Sequence, residues 1–155
     1  MERGEPAPDF ELPDQDGRPV SLTGLLREGP VALFFYPAAM TAGCTAQSCR
    51  FRDLAAEFAE LGASRVGVST DSVAKQREFA ERNAFDYPLL SDPDAKVTAA
   101  YGVARGVAFA PTRRQTFVIG ADRRIIEVVK SEIRMNVHAD RALAALRRQA
   151  ADPAG

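Results

Sequence analysis

At 155 residues the chain is long enough to bury a substantial core, and 1–155 is expected to form a single domain. Its formal net charge of −1 lacks the basic excess of a nucleic-acid binder. No apolar run approaches the roughly 18 residues needed to cross a bilayer, and "MERGEPAPDF" has no signal-peptide core, so a cytoplasmic setting without membrane contact is expected.

"FELPDQDGRPVSL" predicts two short strands around an Asp16-Gly17 turn. "VALFFYP", from Val31 to Pro37, is an uninterrupted apolar run that predicts a strand buried on both faces. From about Thr41 to Leu61 the pattern is helical, with Phe51, Leu54, Ala55, Phe58 and Leu61 on one stripe and Gly62 placed to end it. "RVGVST" predicts a second buried strand, and "DSVAKQREFAERN" a polar helix with Asp71 or Ser72 as its N-cap. "YPLLSD" reads as a short connection, and Asp94 to Tyr101 as one or two helical turns. "RQTFVIG" and "IIEVV", around Ala121-Asp122-Arg123, read as paired strands, and "HADRALAALRRQA" as a closing amphipathic helix. This order predicts an α/β sandwich with helices on both faces of its sheet.

The chain has two cysteines, both in "PAAMTAGCTAQSC". Cys44 falls in the first turn of the helix, just after the buried strand, where unpaired backbone N–H groups and the helix dipole favour a thiolate. Cys49 is rotated from it by about 140°, beside Arg52, Asp53, Ala56 and Glu57, a mainly polar side and a poor place for a core thiol. One distant histidine, His138, adds too few ligands for a zinc site, and it reads as a surface residue at a helix start. The spacing is not the C-x-x-C of a dithiol oxidoreductase. Across i to i+5 of an intact helix the Cα atoms stand roughly 8–9 Å apart, while a disulfide wants them within about 7 Å. A pair held near but apart suits a cycle in which one cysteine is first oxidised alone.

Other residues near this stretch fit such chemistry. Thr41, three residues before Cys44, can aim its hydroxyl at the sulfur or at a substrate oxygen, and the Pro37 ring can shield the pocket from water. Arg114 opens "RQTFVIG"; if that strand neighbours "VALFFYP", its guanidinium comes beside Cys44, whereas Arg113 points to the other face.

"FFYPAAMTAGCTAQSC" contains P-x3-T-x2-C as Pro37, Thr41 and Cys44, and this resembles the active-site signature of peroxiredoxins. The second cysteine five positions on, within "CTAQSCRFRD", resembles the peroxiredoxin Q or bacterioferritin comigratory protein subfamily. "APDFELPDQDGRPVSL", "GVSTDS", "YPLLSD" and "RQTFVIG" extend the likeness over nearly the whole chain. The resemblance implies a thioredoxin fold with an N-terminal β-hairpin extension and a central mixed sheet flanked by helices. It implies a peroxidase with Cys44 as peroxidatic cysteine, Thr41 and Arg114 as its activating partners, and Cys49 as resolving cysteine in the same subunit. Gln47 matches a position where the family often has a polar side chain near the active-site arginine. Expected partners are hydrogen peroxide or an organic hydroperoxide and thioredoxin or a similar dithiol protein, with no cofactor or metal. A monomer or weak dimer is expected. The chain departs from the family in having "TAGC" for the common "TPGC", and in the apolar segment within "YGVARGVAFAPTRRQTF". A redox-sensing binding module remains the alternative from a different class.

Overall fold

The computed structural model describes residues 1–105 and 112–151. The apolar 102–112 segment singled out in the sequence therefore lies largely outside the described residues. Strands β1 (Glu11–Pro13) and β2 (Pro19–Ser21) form the expected N-terminal hairpin as a separate two-stranded sheet. Its loop is closed by Asp14, whose carboxylate accepts from the N–H groups of Asp16 and Arg18, with Gly17 at φ 78°. Helix α1 (Leu22–Leu26) follows directly, capped by the Ser21 hydroxyl, which accepts from Gly24 N–H. No sequence signal marks this helix, because Gly24 interrupts it and five residues are too few to display a helical period.

The central sheet has five strands in the order β5-β4-β3-β6-β7. They are β3 (Val31–Phe35), β4 (Ser64–Ser69), β5 (Leu89–Ser91), β6 (Gln115–Ile119) and β7 (Ile125–Lys130). β3, β4 and β5 run parallel, and β6 and β7 are antiparallel to their neighbours, which makes the sheet mixed. β5 corrects the reading of "YPLLSD" as a connection: Leu89, Leu90 and Ser91 pair with Gly67, Val68 and Ser69. All three are buried, so the stretch carries no alternation to mark it as a strand.

The unbroken apolar run of β3 has its cause in two covered faces. Ala32, Phe34 and Tyr36 enter one core with Phe51, Phe58, Phe79 and Leu143, while Val31, Leu33 and Phe35 enter the other with Phe10, Leu22, Tyr101 and Phe117. The first core lies under α2 (Ala42–Asp53), α3 (Ala55–Glu60), α4 (Val73–Asn83) and α6 (Asn136–Ala151). The second lies under the hairpin, α1 and the segment of α5 (Lys96–Ala100).

The single helix expected to Leu61 is broken. Leu54, at φ −94° and ψ 19°, caps α2 and starts α3, and Gly62 then ends the pair at φ 64° as expected. Ser72 rather than Asp71 caps α4, its hydroxyl accepting from Lys75 N–H. Among the described residues no helix is long and apolar enough to cross a membrane.

Candidate active site

Strand β3 ends at Phe35, and the N–H of the next residue, Tyr36, still donates to Val68 O. The chain then turns through Pro37, Ala38, Ala39 and Met40, with Met40 in the left-handed region at φ 65°. Thr41 is extended and serves as N-cap of α2. Ala42, Gly43 and Cys44 are thus the first three helical residues, and Cys44 is buried in the turn whose N–H groups have no helical acceptor.

Strand β6 runs beside β3 with Gln115 opposite Phe35, so the residue before it reaches the same end of the sheet. That residue is Arg114. Its Nη2 lies 3.3 Å from Cys44 Sγ, and its Nη1 donates to Gln47 Oε1. The backbone N–H of Arg114 donates to Glu132 Oε2 at 3.0 Å, which fixes the stem from which the guanidinium projects. Arg113 is exposed, so the alternation read from the sequence assigns the two arginines correctly.

Arg114, Cys44 and Gln47 are all buried. A buried guanidinium needs compensating groups, and its contacts here are a neutral amide oxygen and a sulfur. Among the described residues, the buried Gln47 Nε2 and Arg114 Nε have no hydrogen-bond partner. These two donors lie close to the sulfur and suit an incoming oxygen-rich group.

The sequence offers Thr41 two targets, the sulfur or a substrate oxygen. Its exposed hydroxyl donates to Ala38 O at 2.8 Å rather than to the sulfur. Pro37 is half-buried where the loop leaves β3. Cys49 is half-buried too, packed against the first core, with its sulfur 3.8 Å from Asn83 Oδ1 at the end of α4. The polar side read from its own helix is real, since Arg52 beside it donates to Asn83 O at 2.8 Å. The end of α4 lies over this side, through Asn83. Both cysteines are free thiols on one continuous helix.

His138 corrects its expected surface placement. The ring is buried between β6 and the β7–α6 loop, with Nε2 2.8 Å from Ser131 O and Nδ1 2.8 Å from the Thr116 hydroxyl. Because a carbonyl only accepts, Nε2 carries the proton and Nδ1 accepts from Thr116. Burial pushes the imidazole down to about 4, so it is neutral at physiological pH. It does not contact Cys44 through any hydrogen bond, and it shares no cysteine–histidine arrangement.

Four further residues shape the site in ways the sequence alone does not show. Glu132 holds the Arg114 backbone. Met135 sits over Gly43, where an added Cβ would lie 3.4 Å from its sulfur and 3.3 Å from Arg114 Nη2. Gly43 thereby leaves the space in which the guanidinium meets Cys44; the only sequence signal was a glycine inside a helical turn, where it is otherwise unfavourable. Asp71 accepts from Ala39 N–H in the active-site loop at 2.7 Å, although its expected role was only to cap α4.

Residues 3–128 match the AhpC/TSA family. The Escherichia coli protein named peroxiredoxin Bcp is 39% identical over 145 residues, covering 90% of this chain and 92% of that protein. The crystal structure of peroxidoxin BcpB from Mycobacterium tuberculosis superimposes with a TM-score of 0.92 at 58% identity, covering 96% of this chain and 97% of that one. A Xanthomonas campestris bacterioferritin comigratory protein, described for its alkyl peroxide reduction activity, gives a TM-score of 0.83 at 29% identity over 91% of this chain and 92% of its own. The mixed five-stranded sheet, its flanking helices and the N-terminal hairpin are accordingly those of a thioredoxin-fold peroxiredoxin. The chain belongs to the AhpC/TSA family and, within it, to the peroxiredoxins of the peroxiredoxin Q and Bcp type.

Proposed function

We propose that this protein is a thiol-dependent peroxidase that reduces hydrogen peroxide and organic hydroperoxides. The observation that carries the reading is the Arg114 fork, one nitrogen on Cys44 Sγ and the other on Gln47, at the N-terminal turn of a buried helix. The reaction generates negative charge at this sulfur and on the departing oxygen, and the buried guanidinium lies 3.3 Å from the sulfur to receive it.

In the first step the Cys44 thiolate attacks the terminal peroxide oxygen. An S–O bond forms, the O–O bond breaks, and the departing oxygen takes a proton to leave as water or alcohol. Arg114 and the N–H groups of the first helical turn stabilise negative charge on the parting oxygens. The Thr41 hydroxyl, its proton committed to Ala38, presents lone pairs that accept the peroxide O–H. Gln47 orients Arg114, and Pro37 walls the pocket from bulk water.

In the second step the Cys49 thiol attacks the Cys44 sulfenic acid, giving an intramolecular disulfide and water. This needs α2 to open, because the two Cα atoms of an intact helix at this spacing stand roughly 8–9 Å apart. Thioredoxin or a similar dithiol protein then reduces the disulfide by exchange. We infer a monomer working in a reducing compartment such as the cytoplasm, with no cofactor needed for either step.

Peroxide consumption measured with thioredoxin and its reductase, comparing hydrogen peroxide with a bulky hydroperoxide, tests the proposal. Sustained turnover supports it. Stoichiometric disulfide formation without turnover would instead favour a redox-sensing module.

A further inference from the structure

The peptide unit joining Ala38 to Ala39 is held at both ends. Its carbonyl accepts from the Thr41 hydroxyl at 2.8 Å, and its N–H donates to Asp71 Oδ2 at 2.7 Å. Thr41 is the N-cap of α2, and its own carbonyl accepts from both the N–H and the hydroxyl of Thr45, at 2.9 and 2.8 Å. A continuous series of hydrogen bonds thus runs from Asp71, at the junction of β4 and α4, into the first turn of the helix that carries Cys44.

Asp71 is itself fixed from below. Its side chain is 11% exposed, and the same Oδ2 accepts from the Ser69 hydroxyl at 2.7 Å. The Ser69 oxygen in turn accepts from Asp71 N–H at 3.2 Å and from Gln76 Nε2 at 2.9 Å. Gln76 is buried, donates also to Leu90 O at 2.8 Å, and accepts from the Tyr36 hydroxyl. Lys75 approaches the outer oxygen at 3.8 Å. The residue after the gripped peptide, Met40, is in the left-handed region at φ 65°. A methionine adopts that conformation at some cost, and it persists where the surroundings impose it.

We propose that Asp71 is a positioning residue that holds the loop from Pro37 to Thr41, and with it the first turn of α2, in the closed arrangement where Cys44 meets Arg114. It thereby sets how often α2 opens for disulfide formation. The inference rests on the peroxidase reading above. Its consequence is a division of labour: the clamp favours attack on peroxide, which needs the closed helix, and opposes resolution by Cys49, which needs the open one. Between the two steps the Cys44 sulfenic acid is exposed to a second peroxide, which would add an oxygen to give sulfinic acid and release water or alcohol. The clamp therefore also sets how readily the enzyme over-oxidises.

Asp71→Ala removes the acceptor for Ala39 N–H. Asp71→Asn keeps a side-chain oxygen that can accept from both Ala39 and Ser69. Losing a charge-assisted hydrogen bond of this kind should raise the open population about tenfold. In Asp71→Ala, disulfide formation should then quicken about tenfold, and the peroxide concentration giving half sulfinic acid should rise by a similar factor. Peroxide attack should slow, and Asp71→Asn should stay near wild type in all three. Rapid-quench mass spectrometry across a hydrogen peroxide series reads these quantities together. General destabilisation would not shift the partition between disulfide and sulfinic acid, so an unchanged ratio in a reactive Asp71→Ala protein overturns the inference while leaving the peroxidase reading intact. A wild-type Cys44 that is not oxidised by peroxide overturns both. Should Asp71→Ala not fold, amide exchange in the wild type decides. Ala39 N–H should be protected in the reduced protein and exchange fast once diamide has closed the disulfide, and an unprotected Ala39 in the reduced form overturns the clamp.

Discussion

The Tyr87 hydroxyl donates a 2.7 Å hydrogen bond to the carbonyl of Ser48, the residue before Cys49 in α2. It is one of several ties on the far half of that helix. Arg65 donates to Phe51 O at 2.9 Å, Arg52 donates to Asn83 O, and the Phe51 ring stacks on Phe34 with centroids 4.2 Å apart. Arg65 is itself braced by a two-point ion pair with Asp86 and lies 5.1 Å over the Tyr87 ring. Opening of α2 should therefore begin at its N-terminal turns and stop near Phe51.

Tyr87→Phe removes the Ser48 tie and leaves the aromatic packing in place. It should cost about 1 kcal/mol of stability and quicken closure of the Cys44–Cys49 disulfide. Amide exchange on reduced and oxidised protein checks the boundary. Oxidation should speed exchange over residues 42–50 with Phe51 onward unchanged, and in reduced Tyr87→Phe exchange around Ser48 should already be faster than in the wild type. Unchanged protection over 42–50, with the intramolecular disulfide confirmed by mass, would mean that closure does not unwind this helix.

Arg114→Met deletes both contacts of the fork while keeping a long side chain. Loss of a charge-assisted contact should slow single-turnover oxidation of Cys44 by about ten- to a hundred-fold. Arg114→Lys should not restore the rate, since one ammonium cannot span Gln47 and the sulfur as a planar fork does. Arg113→Met should stay near wild type, its side chain being exposed. Stopped-flow rates for the three variants check this, and equal losses at 113 and 114 would contradict the assignment.

The buried His138 makes stability depend on pH. Burial pushes it down to about 4, against which the Ser131 carbonyl holds it up and the Arg114 charge pushes it further down. The ordinary value in an unfolded chain is about 6.5, so between the two the unfolded state binds the extra proton. Stability is fully present above about 6.5 and falls as the pH drops toward 4, by about 3 kcal/mol in all. Urea unfolding of wild type and His138→Gln across this range checks it. The variant should be less stable at neutral pH, because Thr116 and Ser131 lose their partner, and should have a shallower slope.

The fold was legible wherever burial on two faces or a helical stripe left a pattern long enough to read. β3 announced itself by six apolar or aromatic positions between glycine–proline and proline, and the alternation into β6 separated Arg114 from Arg113. Two short elements were not legible: α1 and β5 are too brief for a period to emerge, and no turn signal like the Asp16-Gly17 of the hairpin marks them. Contacts between elements far apart in sequence were not legible either. His138 was read as a surface residue because nothing in "MNVHAD" reveals that Thr116 and Ser131 close over it. The spacing of Thr41 leaves its hydroxyl free to face the sulfur or a substrate oxygen, and only the loop, with Met40 left-handed, shows that its proton goes to Ala38 O. Asp71 was read as a candidate cap from its place before a helix, and only the fold brings Ala39 to it.

The division of roles between the two thiols is tested most directly by intact mass after one equivalent of hydrogen peroxide, read without reductant. Wild type should lose two hydrogens and remain a single chain, as an internal disulfide requires. Cys49→Ser should gain one oxygen, trapped at Cys44, and Cys44→Ser should be unchanged. An oxygen gained on Cys44→Ser, or an unreactive Cys49→Ser, would contradict Cys44 as the thiol that attacks peroxide.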